Sequence, residues 1–234
     1  MIKVENIEVW GFEHAIRGMR NPMNSWDKSD SEFDIQYYDE DGNETEYYKV
    51  QIGENDLDLM RRLYKAGTEH RKYLRQIFVS MDITAPHYWW YDFDTYKVGV
   101  VRNSCSKNHK LMSKPFELND FSWDRLLNTD CSLFADTWDT QQFMRQVQPQ
   151  QFLIDYIIPV LNKCREHYLE TKDKKYWWQV TQLLPLSYNH RATITMNYEN
   201  VVSIIKQRDN HILDEFKEFV KILKSLPYVQ EIMN

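Results

Sequence analysis

Residues 76–83 place an apolar side chain at every second position, at Ile77, Val79, Met81 and Ile83. Successive side chains of a strand point to opposite faces of a sheet, so this period of two predicts a strand with one buried face. Ala85-Pro86 ends the pattern, and Pro86 suits the first position of a helix because its fixed φ matches helical backbone. The sequence therefore predicts a strand leading directly into a helix that carries Tyr88, Trp89, Trp90, Tyr91 and Phe93.

The other predicted elements rest on the same periodicities and on capping and turn residues. The predicted strands are 2–10, 33–38, 46–52 and the extended segment 186–196. The predicted helices are 12–20, 56–66, 68–75, 152–169, 174–184 and a region from 197 to 226 that breaks near Asp209-Asn210. Asp41-Gly42 predicts a hairpin turn, Asn55 and Thr68 predict helix caps, and Pro159 predicts a kink. These elements indicate an α/β fold in one domain, 1–234, with a hairpin insert at about 33–52 and an irregular insert at about 129–151.

Composition narrows the class of protein. The formal net charge of -6 argues against a general nucleic-acid binder but leaves room for a small anion held by an inward arginine. Three widely spaced cysteines predict neither a disulfide framework nor a zinc site, and the histidines show no metal-ligand spacing, so no metal is expected. The charged N-terminus is atypical of a signal peptide, and no window is apolar enough to span a bilayer. We expect a cytoplasmic protein without a membrane or nucleic-acid-polymer partner.

Arg208 is the most informative single residue. Asn197, Ile204 and Arg208 are spaced so that they return to nearly the same face of a helix, the face that carries its apolar side chains. A guanidinium that points inward needs an anionic partner, because burying an unpaired charge is costly. The partner is either a ligand phosphate or an internal Asp or Glu, and simple exposure of the arginine is the third alternative.

A second cluster of polar side chains lies in the segment 17–27, after the first predicted helix. Arg20 and Ser25 are candidate contacts for a phosphate, and Trp26 is a candidate for stacking on a base or flavin ring. The alternative is a helix end followed by an Asn-Pro turn, with Trp26 covering the core.

The order of motifs resembles that of the flavin-dependent thymidylate synthases. Leu184-Pro185-Leu186, an extended segment, Asn197 and then Arg208 follow the C-terminal pattern of that family with the same Asn-to-Arg spacing. The family signature R-H-R-x-x-S-x-N-E-x-S-x-R-Y is best placed on residues 96–109. Only Asn103 and Ser106 match it, and Tyr96 and Val98 stand where the family has arginines.

The resemblance implies a fold, ligands and roles for particular residues. It implies an antiparallel-rich central sheet flanked by helices, bound FAD, a homotetramer, and folate and NADPH as further partners. Its implied function is transfer of a one-carbon unit to a pyrimidine deoxynucleotide such as dUMP. The implied catalytic residue is Arg208, the substrate contacts are Ser106, Arg208, Lys107 and Arg102, and the cofactor contacts are Asn197, Asn103, Ser203, His211, Arg20 and Ser25. The alternatives are a nucleotide-binding or regulatory protein that has lost flavin chemistry, and a structural oligomer without a small ligand.

Overall fold

The computed structural model describes residues 2–38, 41–42, 44–106, 110–129, 131–132 and 146–234. The strands are β1 Lys3–Trp10, β2 Glu32–Tyr38, β3 Glu44–Gln51, β4 Phe78–Pro86, β5 Val100–Ser104, β6 Cys131–Ser132, β7 Gln146–Val147 and β8 Asn189–Asn197. The helices are α1 Phe12–Arg20, α2 Glu54–Lys65, α3 His87–Phe93, α4 Pro149–Phe152, α5 Ile158–Thr171, α6 Lys174–Leu183, α7 Tyr198–Arg208, α8 Asp214–Lys224 and α9 Val229–Met233. Among the described helices, none combines the length and apolar content that crossing a bilayer requires.

The fold is mixed α/β, with an antiparallel sheet flanked by helices, as expected. Four strands pair in the order β1-β4-β8-β5, so the strand predicted at 76–83 is an inner strand of the sheet. Its alternation is confirmed, because Val79, Met81 and Ile83 are buried while the residues between them are half-buried. Polar side chains join the two inner strands on that less buried side, where the Ser80 and Thr195 hydroxyls lie 3.0 Å apart.

The chain divides into two compact units. One contains Met1–Lys3, Thr84–Phe93 and Ser104–Ala192, and the other contains Val4–Ile83, Asp94–Asn103 and Thr193–Asn234. The first unit has its own apolar core, built from Leu111, Met112, Phe116, Phe121, Leu153, Leu161 and Val180. The second unit buries the apolar side of α7 as predicted, through Val201, Val202, Ile204 and Ile205.

The predicted hairpin is present. Strands β2 and β3 pair antiparallel, with Phe33 opposite Val50, and Gly42 lies in the turn with a φ of +80°. A positive φ suits glycine, which has no Cβ to clash with its own backbone. The irregular insert expected at 129–151 falls largely outside the described residues, although β6 and β7 pair antiparallel at its two ends.

The start of α2 differs from the prediction. The helix begins at Glu54, and its free backbone N–H groups are satisfied by Asp30 rather than by Asn55. The Asp30 carboxylate accepts from the backbone N–H of Asn55 at 3.0 Å and of Asp56 at 3.1 Å. Gly53 allows this approach, because a Cβ at that position would lie 2.2 Å from the Asp30 carboxyl carbon. Likewise, the helix expected from Thr68 is instead a short 3₁₀ turn, Lys72–Gln76.

The long helix predicted around Pro159 is interrupted. Helix α4 continues into a π-helical turn, Leu153–Ile157, before α5 begins at Ile158. Pro159 has no backbone N–H to donate to the preceding turn, and the irregular π-helical turn lies directly before it. The predicted break near Asp209-Asn210 is confirmed, since α7 ends at Arg208 and α8 begins at Asp214.

Candidate functional site

Arg208, the last residue of α7, is half-buried between two aromatic rings. Its Nε donates a hydrogen bond of 2.9 Å to the hydroxyl of Tyr96. The guanidinium carbon lies 4.9 Å from the centre of the Phe216 ring and 5.6 Å from that of Tyr96. One edge of the guanidinium is therefore hydrogen-bonded, and its position is fixed by packing on α8.

The charge of Arg208 has no carboxylate partner among the residues that the structure describes. Within the same residues, neither terminal nitrogen, Nη1 nor Nη2, donates to a protein atom. The internal ion pair that the sequence left open as an alternative is thus not found in this part of the chain. A half-buried guanidinium whose two terminal nitrogens are unused is suited to an anion such as phosphate or carboxylate.

Tyr96 links Arg208 to Ser203 through Gln207. The Tyr96 hydroxyl lies 3.0 Å from the side-chain oxygen of Gln207, and the side-chain nitrogen of Gln207 lies 3.0 Å from the Ser203 hydroxyl. Gln207 and Ser203 are one turn apart on α7. Two of the candidate residues, Arg208 and Ser203, therefore share one hydrogen-bonded chain of side chains.

The segment from Asp94 to Gly99, which contains Tyr96, is held at both ends. Arg102 Nη1 lies 2.6 and 2.7 Å from the two carboxylate oxygens of Asp94, so the charge of this substrate-contact candidate is balanced by the protein. At the other end, the Asn200 side chain donates to the Gly99 carbonyl at 3.2 Å. The backbone approaches closely there, since a Cβ on Gly99 would lie 2.7 Å from the Asn197 amide nitrogen.

Asn197 caps α7, as predicted from the sequence. Its side-chain oxygen accepts from the backbone N–H of Asn200 at 3.1 Å and from the Asn200 side chain at 3.0 Å. His211 lies just beyond the same helix, with its ring edge-on to Phe216 at 4.8 Å. Helix α7 and the segment after it thus bring Asn197, Ser203, Arg208 and His211 around the Asp94–Gly99 segment and Phe216.

Arg20 and Ser25 belong to a different, buried cluster. Arg20 is 3% exposed, donates from Nε to Asp56 at 2.6 Å and from Nη1 to the Ser25 carbonyl at 3.2 Å. Asp56 also accepts from the hydroxyls of Ser29 and Ser31, at 2.7 and 2.6 Å. Burial alone would raise the Asp56 pKa, but the hydrogen bonds from Ser31, Ser29 and Arg20, with the Arg20 charge, lower it overall. The Arg20 charge is therefore matched inside the protein.

Trp26 lies at the surface. The residue is 51% exposed, and its indole N–H donates to the Asn21 side chain at 2.8 Å. The exposed face stays a candidate for stacking.

Ser106 lines a cavity of about 190 Å³ in the first unit. Lys110 and Lys114 line the same cavity, and the Lys114 ammonium lies 2.5 Å from Asp120. Tyr188 forms part of its wall, and burial, with a further contribution from the nearby Asp120 carboxylate, raises the Tyr188 pKa. Asn103 is exposed on β5, and Lys107 lies outside the described residues.

Sequence reasoning missed Tyr96 and Gln207. Tyr96 stands where the resembled family has an arginine, and that difference by itself indicates only the loss of a charge. Its contact with Arg208 joins residues 112 positions apart in the sequence, which no local periodicity can reveal. Lys114 was also missed, and its spacing of four from Lys110 was the only local signal.

Comparisons with known proteins support the fold. No family model and no curated protein matches the sequence. Thymidylate synthase X from Helicobacter pylori with FAD and dUMP is similar at a TM-score of 0.62 and 15% identity, over 100% of this chain and 97% of that one. A second structure of the flavin-dependent enzyme from Helicobacter pylori, complexed with FAD and dUMP, gives 0.61 and 16% over 99% and 97%.

A UMP/dUMP methylase from Streptomyces cacaoi bound with 5-Br dUMP gives a TM-score of 0.57 and 14% identity, over 99% of this chain and 93% of that one. Identities this low establish the fold alone. The chain has the α/β fold of the flavin-dependent thymidylate synthase structures along its whole length.

Proposed function

We propose that this chain binds a pyrimidine deoxynucleotide of the dUMP class through Arg208 and transfers a one-carbon unit to it. The observation that carries the proposal is the half-buried guanidinium that packs on Phe216, donates Nε–H to Tyr96 and pairs with no carboxylate in the described part of the chain. Such a group favours an anionic ligand, because a charge partly removed from water needs a counter-charge. The three similar structures support the nucleotide, since two hold dUMP and one holds 5-Br dUMP.

In this proposal Arg208 binds and orients the nucleotide. Its two terminal nitrogens donate in parallel to a phosphate or to the pyrimidine edge, a geometry that suits guanidinium better than ammonium. The same donors stabilise negative charge that develops on the ring during one-carbon addition. Ser106 and Lys107 are further proposed substrate contacts. Arg102, paired with Asp94, acts on the segment that presents Tyr96.

FAD is the proposed cofactor, supported by the resemblance and by the two similar structures that hold it. It would supply the redox chemistry of the transfer. The residues proposed to hold it fit its charged diphosphate poorly, because Arg20 is neutralised by Asp56 and Asn197 caps its own helix. Asn103, Ser203 and Ser25 bring no positive charge. The role of Arg208 above is therefore independent of any flavin step.

This poor fit favours a second candidate function. The chain would be a nucleotide-binding or regulatory protein on the same fold, binding the pyrimidine nucleotide at Arg208 without flavin chemistry. Tyr96 supports it, because a residue at an arginine position of the family signature serves here to hold Arg208 through its hydroxyl.

Both candidate functions require that the chain bind a nucleotide at Arg208, and titration calorimetry with dUMP tests this binding. We expect the wild-type chain to bind dUMP and R208M to bind it about 10- to 100-fold more weakly, the value of hydrogen bonds to a charged group. R62M is the matched control, because Arg62 is an exposed arginine on α2 paired with Asp58. Binding by R208M as tight as by wild type, or no dUMP binding by wild type, would disprove the proposal.

The visible spectrum of the purified protein separates the two candidates. Flavin absorption bands, or uptake of added FAD, support the enzyme. Nucleotide binding without flavin absorption bands and without uptake of FAD supports the nucleotide-binding or regulatory protein. The enzyme form of the proposal also includes a homotetramer in the cytoplasm, with folate and NADPH as further partners.

A further inference from the structure

We infer that Tyr96 is a positioning residue for Arg208, and that it determines which edge of the guanidinium meets the ligand. The inference rests on the proposed function and adds a residue to it. Tyr96 does not touch the ligand in this scheme. It acts through the hydrogen bond that its hydroxyl accepts from Arg208 Nε.

The hydrogen-bond directions around Tyr96 are fixed by chemistry. The Gln207 side-chain oxygen, 3.0 Å from the Tyr96 hydroxyl, has no proton and can only accept. The hydroxyl proton is therefore committed to Gln207, and a lone pair faces the Nε–H of Arg208. The Gln207 side-chain nitrogen lies 3.0 Å from the Ser203 hydroxyl, which extends this chain of contacts along α7.

This arrangement leaves one edge of Arg208 for a ligand. The Nε edge is occupied by Tyr96, and the guanidinium carbon packs 4.9 Å from the centre of the Phe216 ring, which restrains the side chain. Nη1 and Nη2 then offer two parallel donors, which match an anion with two neighbouring acceptor atoms, such as a phosphate or the oxygen–carbon–nitrogen edge of a pyrimidine. Because the side chain is ordered before binding, less conformational entropy is lost when the ligand arrives.

Tyr96 can hold Arg208 in place because contacts at both ends fix the position of the segment that contains Tyr96. The Asp94 carboxylate pairs with Arg102, and the Gly99 carbonyl accepts from the Asn200 side chain. The hydroxyl therefore does not depend on Arg208 alone for its position.

Y96F is the direct test, since it removes the hydroxyl and keeps the ring that packs on Arg208. We expect the dUMP dissociation constant to rise about tenfold, and that of Q207L to rise about threefold because the Tyr96 hydroxyl then loses its acceptor. Y91F is the matched control, because Tyr91 is an exposed tyrosine on α3. The melting temperature of each variant is measured alongside to show that it is folded.

A double-mutant cycle distinguishes positioning from a general structural effect. If Tyr96 acts only through Arg208, Y96F weakens binding in the wild-type background and has no effect in R208M. Equal effects in both backgrounds, or a Y96F affinity within twofold of wild type, overturn the inference and leave the proposed function intact. Absence of dUMP binding by the wild-type chain overturns both.

Discussion

Arg20 and Arg208 each end a helix, and each guanidinium is wholly or partly removed from water. Arg20 meets Asp56, a carboxylate with no exposed surface, whereas Arg208 meets a tyrosine hydroxyl and a phenylalanine ring. The Arg20 charge is therefore balanced by a carboxylate inside the protein. The Arg208 charge is left to be balanced by a ligand. The two arginines therefore differ through their hydrogen-bond partners, Asp56 and Tyr96, which lie 36 and 112 positions away in the sequence.

Asp56 is the residue whose loss should destabilise the fold most clearly. D56N would leave the Arg20 charge buried without a counter-charge, so we expect a loss of about 3–5 kcal/mol in the free energy of unfolding at pH 7. Urea denaturation measures this loss. D58N is the control, because the exposed pair of Asp58 with Arg62 is worth about 0–1 kcal/mol.

The effect of D56N should also depend on pH. The folded-state pKa of Asp56 is lowered relative to its ordinary value of 3.8, so its stabilisation is complete above that value and declines as the pH falls through the folded pKa. The difference in the free energy of unfolding between wild type and D56N should accordingly become smaller at acid pH. A difference that stays constant down to pH 2 would contradict this assignment.

At the scale of elements, α2 shows that a helix can be capped by a residue from another segment. Asp30 binds two backbone N–H groups in the first turn of α2. We expect D30A to lower the free energy of unfolding by about 1 kcal/mol, the usual value of an N-cap side chain. N55A should change it by less than about 0.5 kcal/mol, as for an exposed position without such a role. A larger loss in the free energy of unfolding for N55A than for D30A, measured by urea denaturation, would instead identify Asn55 as the cap.

Elements that depend on local pattern were predictable from the sequence. The alternation at 76–83 and the apolar side of α7 are properties of consecutive residues, and both are present in the structure. The Asp30 cap and the Tyr96–Arg208 bond join residues 25 and 112 positions apart. Such contacts arise only when the chain folds, so the sequence indicated Arg208 but not the residue that holds it.

At the scale of the whole molecule, nucleotide binding should appear as added stability. A ligand at about 100 times its dissociation constant adds about 2.7 kcal/mol, which for a chain of this length raises the melting temperature by about 5–10 °C. Scanning calorimetry of wild type with dUMP should show this shift, and R62M should retain it. R208M at the same dUMP concentration should show a smaller shift of about 1–6 °C, because its 10- to 100-fold weaker binding leaves dUMP at only about 1 to 10 times its dissociation constant. An undiminished shift in R208M would place the nucleotide elsewhere.

The tight fit at Gly99 constrains how this protein can diverge. With a φ of +76° and the Asn197 amide 2.7 Å from where a Cβ would stand, position 99 accepts almost nothing but glycine while Asn197 is present. A side chain at position 99 would meet the Asn197 amide, so we expect the two positions to covary among homologues. A lineage that acquires a larger residue at 99 should also have replaced the asparagine that caps α7.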